Sequence, residues 1–381
     1  METVFLIDGC RSPIGRGHPE KGLYHNLRAD ELSVQVLEAL IKRTKLDPEQ
    51  IDDFYLGCVG QHLEQGKNLA RLILLLAGLP KTIPGATVNR LCSSSLSALQ
   101  MAADSICSGT NQQMLVGGVE HLGHVPMTAA LDYHPGLFKG YDFQWSNMGL
   151  TAEKLSEDYE IDRAMQDRFT MASNQRYFDA KATGFFAREM VPLTLDDGQT
   201  VTEDQEPRLS TMESLAGLRT VFKEDGTITA ANSSGISDGA CMAWVGNESA
   251  VQQYGNAPLA EIGLTVNVGL DPETMGLGPV FAIRKLLDKT GLSLEDIDLL
   301  EINEAFAVQV LACQQELDID SEKLNIHGGA VALGHPLGMS GLRIAVTLAH
   351  SMVERKSKYG IAALCVGHGQ GVAMLLKRDI D

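Results

Sequence analysis

Cys92 stands where an apolar strand gives way to a helix, in the run Val88-Asn89-Arg90-Leu91-Cys92-Ser93-Ser94-Ser95-Leu96. A helix N-terminus offers unpaired N–H groups and partial positive charge. Both favour thiolate over thiol, and the thiolate is the nucleophile. The competing reading is a buried core cysteine, a common fate for the residue. His335 lies in Asn325-Ile326-His327-Gly328-Gly329-Ala330-Val331-Ala332-Leu333-Gly334-His335-Pro336-Leu337-Gly338-Met339-Ser340-Gly341. Glycine at that density weakens an ordinary helix or strand and suits a backbone lying against a ligand. The imidazole could take a proton from Cys92 and later polarise a carbonyl. Cys365 ends an apolar strand and leads into Gly367, Gly369 and Gly371, whose N–H groups could form an oxyanion hole. From position alone it is equally a core thiol. An activated thiol, an imidazole and a second thiol can together carry acyl transfer coupled to carbon-acid chemistry.

Those residues need a rigid frame. Short apolar strands alternate with amphipathic helices in both halves, which predicts an α/β fold. Strands are expected at Thr3–Ile7, Asp53–Leu56, Gln113–Gly117, Leu299–Ile302 and Ile361–Val366, and helices at Ala29–Arg43, Ser93–Ser108, Asp162–Ala182, Gly278–Thr290 and Gly338–Glu354. Leu46-Asp47-Pro48-Glu49-Gln50-Ile51-Asp52 parallels Leu292-Ser293-Leu294-Glu295-Asp296-Ile297-Asp298. Each is followed by an apolar strand running into glycine, at Met114–Gly118 and Ala363–Gly367, so the chain reads as a duplication. The expected division is an N-terminal half over 1–250, with a loop domain inserted at about 119–232, and a C-terminal half over 251–381. Asn303 ends its strand in Glu301-Ile302-Asn303-Glu304-Ala305-Phe306-Ala307. It could hold a water, cap the following helix, or do both. Asn232–Ala240 is a small polar loop suited to an elongated ligand, or a plain turn.

The 381 residues carry a formal charge of -18, which repels a phosphate backbone and argues against nucleic acid. The 7 cysteines include no CxxC pair and no zinc-like spacing, so reduced cytosolic thiols and no metal are expected. No P-loop or dinucleotide fingerprint occurs. The N-terminus does not read as a signal or transit peptide, and Arg378-Asp379-Ile380-Asp381 is not a peroxisomal tripeptide. The apolar run around Leu69–Leu79 is too short to span a bilayer.

Taken in order, Val88–Ser95, Gly117-Gly118-Val119-Glu120, Asn147-Met148-Gly149-Leu150-Thr151-Ala152-Glu153, Asn232–Ala240, Asn303–Ala307, Asn325–Gly341 and Cys365–Gly371 resemble the thiolase family over nearly the whole chain. The resemblance implies a duplicated thiolase fold, a five-layer α-β-α-β-α stack with an inserted loop domain. It implies Cys92 as the acylated nucleophile, His335 as the proton acceptor and Cys365 as the acid/base at the α-carbon. Asn303 would hold an oxyanion water, Gly367 would supply a backbone donor, and Ser234 and Met148 would line the pantetheine channel. Coenzyme A is then a co-substrate, and no permanently bound cofactor is required. Within the family the chain is most similar to degradative bacterial 3-ketoacyl-CoA thiolases, through Gly118–Met127, Asp132–Gly136 and Gly367-His368-Gly369-Gln370-Gly371. That likeness implies a cytoplasmic homodimer docked on a larger hydratase/dehydrogenase subunit of a fatty-acid oxidation complex. Met127, Tyr133, Phe138 and Trp145 are candidate partner contacts, or packing within the insertion. Asn147 stands where acetoacetyl-specific relatives often have His, which favours longer substrates. The rival readings are a biosynthetic acetyl-CoA acetyltransferase and a non-catalytic thiolase-like scaffold subunit.

Overall fold

The computed structural model describes residues 2–129, 131–139 and 146–379. The N-terminal half runs β1 (Phe5–Arg11), β2 (Gly15–Arg16), α1 (Ala29–Thr44), β3 (Asp53–Gly57), α2 (Leu69–Leu76), β4 (Ala86–Val88), α3 (Ser94–Cys107) and β5 (Gln113–His121). A long excursion follows, with α4 (Met148–Asp158), α5 (Arg163–Ala182), the small hairpin β6 (Leu193–Thr194) and β7 (Thr200–Val201), and α6 (Met212–Ala216). The chain returns through β8 (Ser237–Gly246), α7 (Glu248–Tyr254) and β9 (Ala260–Gly269). It continues with α8 (Gly278–Thr290), β10 (Leu299–Ile302), α9 (Ala307–Leu317), α10 (Ala330–Leu333), α11 (Leu337–Arg355), β11 (Tyr359–Val366) and β12 (Gln370–Lys377).

The strands form one mixed sheet in the order β10-β11-β12-β9-β1-β8-β5-β3-β4, with β2 beside β8. Its two lobes meet where β1 pairs with β9 through only Phe5↔Glu261 and Leu6↔Ala260. Each lobe holds a parallel pair, β3/β5 and β10/β11, spanned by a crossover helix, α3 and α11 respectively. Those two helices pack on each other between the lobes, while α1 and α2 cover one outer face and α8 covers the other. The apolar residues accordingly fall into a central cluster containing Leu96, Leu342 and Leu364, and two outer ones around Leu37 and Ile283.

This is the expected duplicated α/β stack, with the difference that hydrogen bonding runs continuously from lobe to lobe. The helices fall within a residue of expectation because their apolar positions recur on one face. In α1 those are Leu32, Val36, Leu37 and Leu40. Buried everywhere from Gly338 to Met352, α11 turns no face to solvent over that span, as a middle-layer helix must. Gly338 and Gly341 do not break it, in keeping with the helix expected over Gly338–Glu354. A Cβ at Gly341 would sit 2.6 Å from the Leu96 backbone nitrogen, and one at Gly338 would sit 2.4 Å from the Val119 carbonyl oxygen. They are the price of close helix–helix and helix–strand approach.

Candidate active site

The nucleophile candidate sits on an elbow. Leu91 adopts φ +46°, a left-handed conformation that is strained for a bulky side chain. Asn89 Oδ1 accepts from the Leu91 N–H at 2.9 Å, and the Ser94 hydroxyl donates to the Leu91 carbonyl at 2.7 Å, fixing the bend. Cys92 follows, just ahead of α3, in a partly buried position. Ser95, one turn in, accepts from the Leu342 N–H at 2.8 Å and donates to the Met339 carbonyl at 3.1 Å. The N-terminal ends of α3 and α11 are thereby bolted together, and they carry Cys92 and the His335 loop respectively.

The thiols share one neighbourhood. Burial raises the Cys92 pKa to about 11, partly offset by hydrogen bonding from the N–H groups of Gly367 and Cys92 itself. Cys365 lies buried near the end of β11, and its thiol is held well above the ordinary range by burial first and then by the adjacent Cys92 charge. The donors favour the Cys92 thiolate, as its place before α3 suggests, but the loss of water outweighs them.

His335 is buried, with its backbone N–H facing the Gly235 carbonyl at 3.2 Å. Ser340 Oγ lies 2.6 Å from His335 Nδ1 and donates its own proton to the Pro336 carbonyl at 2.9 Å. With that proton committed, the hydroxyl can only accept, so Nδ1 carries the ring hydrogen and Nε2 keeps a lone pair. Asn303 Nδ2 lies 3.4 Å from Nε2. Burial, then the Arg343 charge, lowers the imidazole pKa to about 3, so the ring is neutral at rest. Asn303 is not a helix cap: α9 begins after Phe306, which makes no side-chain cap.

Met148 opens α4, its sulfur 3.7 Å from where a Cβ on Gly367 would lie, so it stands against the thiol site. Asn147 caps that helix by accepting from the Gly149 N–H at 3.0 Å. Ser234 donates its backbone N–H to the Ala305 carbonyl at 2.9 Å, on the loop that also pins His335. Sequence reasoning overlooked Glu120 as an individual anchor. Its buried carboxylate accepts from the N–H groups of Val59, Gly60 and Gly338 at 3.1, 2.9 and 2.8 Å, tying the start of α11 to the first lobe. A lone acid after Gly117-Gly118 at a strand end was the available signal.

Among the described residues, Glu64, His121 and His124 form the one grouping with metal-ligand atoms in reach of each other. The two rings stack at 3.9 Å with planes 16° apart, so their lone pairs run side by side and do not converge. His121 Nε2 also faces the Tyr24 and Leu27 carbonyls, and His124 bonds Glu64 and the His25 carbonyl. As oriented, the cluster is a hydrogen-bonded support.

Cys92 and Cys365 lie within reach of each other's charge beside the Gly367 N–H, an arrangement suited to acyl transfer. Residues 4–249 match the family model for the thiolase N-terminal domain and residues 256–378 that for the thiolase C-terminal domain; the chain belongs to the thiolase family. It is 44% identical over 388 residues to a 3-ketoacyl-CoA thiolase of Aliivibrio fischeri, covering 99% of this chain and 100% of that one. A Citrobacter koseri 3-ketoacyl-CoA thiolase is 45% identical, with 99% of each chain covered. The human mitochondrial 3-ketoacyl-CoA thiolase solved in complex with CoA superposes with a TM-score of 0.90 at 37% identity, over 99% of this chain and 98% of that one. The acetyl-CoA acetyltransferase of Bacillus anthracis gives the same TM-score at 39% identity, over 99% of both chains.

Proposed function

We propose that this thiolase cleaves 3-ketoacyl-CoA with coenzyme A to acetyl-CoA and an acyl-CoA two carbons shorter, the last step of fatty-acid β-oxidation. The observation carrying this is the junction of Cys92, Cys365 and the Gly367 N–H, in a chain whose full-length relatives are 3-ketoacyl-CoA thiolases. Cys92 Sγ attacks the 3-keto carbon and its proton passes to His335 Nε2. The oxyanion rests on the N–H groups of Cys92 and Gly367. The C2–C3 bond breaks, and its electron pair becomes the enolate of acetyl-CoA, stabilised by His335 and an Asn303-held water. Cys365 protonates that carbon. The thiol proton of incoming CoA restores Cys365. The CoA sulfur then takes the acyl group from Cys92, which recovers its proton from His335. CoA is the co-substrate, and Ser234 and Met148 line its pantetheine path.

A thiolysis assay across 3-ketoacyl-CoA chain lengths tests this, following loss of the enolate absorbance. The expected result is higher kcat/KM on medium and long chains than on acetoacetyl-CoA. The reverse ranking replaces this reading with a biosynthetic acetyl-CoA acetyltransferase, a reading favoured by the Bacillus anthracis likeness. No turnover with any chain length would leave a scaffold subunit.

The protein acts as a homodimer in the cytoplasm, docked on a larger hydratase/dehydrogenase subunit. In support of the dimer, β4 ends the sheet order and α2 beside it exposes Leu72, Leu75 and Leu76 at 46%, 45% and 56%. In support of a reducing compartment, all seven cysteines are free thiols. Among the described residues no helix is long and apolar enough to cross a membrane. Of the candidate partner contacts, Met127 is exposed, Tyr133 bonds His368 at 3.1 Å, and the Phe138 side chain and Trp145 lie outside the described residues. Light scattering near twice 41.1 kDa is expected, with a larger β-oxidation protein recovered by pull-down from native cells. An active, partnerless monomer would overturn both contacts.

A further inference from the structure

Arg343 is a buried cation with no hydrogen-bonded carboxylate. It sits on α11 with its side chain 1% exposed. Its nearest carboxylate oxygen, Glu301 Oε2, is 3.9 Å from Nη1, beyond hydrogen-bond reach. Nε and Nη1 have no hydrogen-bond partner. The other buried arginine, Arg11, bonds Glu189 at 2.5 Å and Asp204 at 2.7 Å and is an ordinary structural ion pair. Of the other acids that act on Arg343, Glu189 is occupied by Arg11 and Thr347, and Glu304 by Ser173, Asn325 and the Val331 N–H. Only Nη2 of Arg343 makes a side-chain contact at hydrogen-bond range, a long one of 3.5 Å to Asn303 Oδ1. A buried guanidinium costs least when a carboxylate takes it in bidentate fashion. Here it is spent on one amide oxygen.

That oxygen matters because an asparagine amide can turn over. With Oδ1 held by Arg343, Nδ2 faces His335 Nε2 and the lone pair there survives. Turned over, Oδ1 would face that lone pair, acceptor against acceptor. The repulsion is relieved only if the ring proton moves to Nε2 and the Ser340 hydroxyl turns to donate to Nδ1. The base would then carry its hydrogen on the atom that must accept one.

We propose that Arg343 is a positioning residue that sets the Asn303 amide, and through it the tautomer of His335. The proposal's kinetic part rests on the acyl-transfer reading above; its spectroscopic part does not.

The test combines kinetics with nitrogen-15 spectra of histidine-labelled protein. In the wild type the His335 signals should show hydrogen on Nδ1. Arg343→Met, which has no donor, should move the hydrogen to Nε2, while Arg343→Lys, which keeps a donor, should retain part of the wild-type signature. Arg343→Met should lower kcat about a hundredfold, the loss typical of one misplaced polar donor, with KM within about twofold. Placed on Asn303→Ala, the same change should add little, because both act through one amide. If Arg343→Met melts before assay, Arg343→Lys with its spectrum decides. An unchanged tautomer in a folded variant, or fully additive losses with Asn303→Ala, would overturn the proposal. Wild-type protein with the Nδ1–H signature but no thiolysis would sink the functional reading alone.

Discussion

Cys92→Ala should lower thiolysis turnover by about a thousandfold or more, because in the proposed mechanism Cys92 alone holds the acyl group between the half-reactions. Intact mass after brief exposure to acyl-CoA should show one added acyl group on the wild type, localised to the peptide containing Cys92, and none on the variant. Cys365→Ala separates the thiols. It should still be acylated, since the Leu91 elbow and the Gly367 N–H remain. It should lose exchange of acetyl α-protons with deuterated water. Acyl groups found on Cys365, with Cys92→Ala still turning over, would reverse the assignment.

His335→Ala should cut acylation by acyl-CoA about 10²–10⁴-fold, the usual span for a lost general base. It should scarcely alter the labelling of Cys92 by iodoacetamide in resting protein. The sign follows from the two shifts. A thiol raised to about 11 is protonated throughout the neutral range, and an imidazole lowered to about 3 is neutral there. Both shifts oppose a thiolate–imidazolium pair in the resting protein. Labelling of the wild type should climb about tenfold per pH unit from pH 7 towards 10 with no plateau, following the thiolate fraction. A plateau near neutral pH that disappears in His335→Ala would mean that the pair is preformed.

What the sequence conceals here is mostly burial. Cys92, His335, Cys365, Asn303 and Gly367 stand out because strand ends and glycine clusters mark them, and family likeness assigns their roles. The charge state of Cys92 does not, because desolvation depends on residues packed from elsewhere in the chain. Ser340 and Arg343 were overlooked for a similar reason. They lie three and six residues into what reads as an amphipathic helix, and only its enclosure on all sides turns them toward His335 and Asn303. Among the long strands, β8, β9 and β12 are not marked in the sequence. β8 is buried at every position from Ser237 to Gly246, so it lacks the alternation that marks a half-exposed strand. Its first residues were taken up by the polar loop at Asn232–Ala240. By contrast, α8 agrees at both ends, Gly278 and Thr290, because a following glycine in the left-handed region stops it.

The bolt between α3 and α11 also bears on how the molecule comes into being. Ser95 and Leu342, which join the two helices, are 247 positions apart. Closing a loop of that length carries an entropic cost that only the assembled middle layer offsets. Local helices and the β3/β5 unit can form on the ribosome well before the last third of the chain emerges. The reactive centre cannot, since its imidazole and second thiol belong to that last third. A growing or half-folded chain therefore holds Cys92 apart from His335, Cys365 and Gly367, and the proposed site arises only with the native topology.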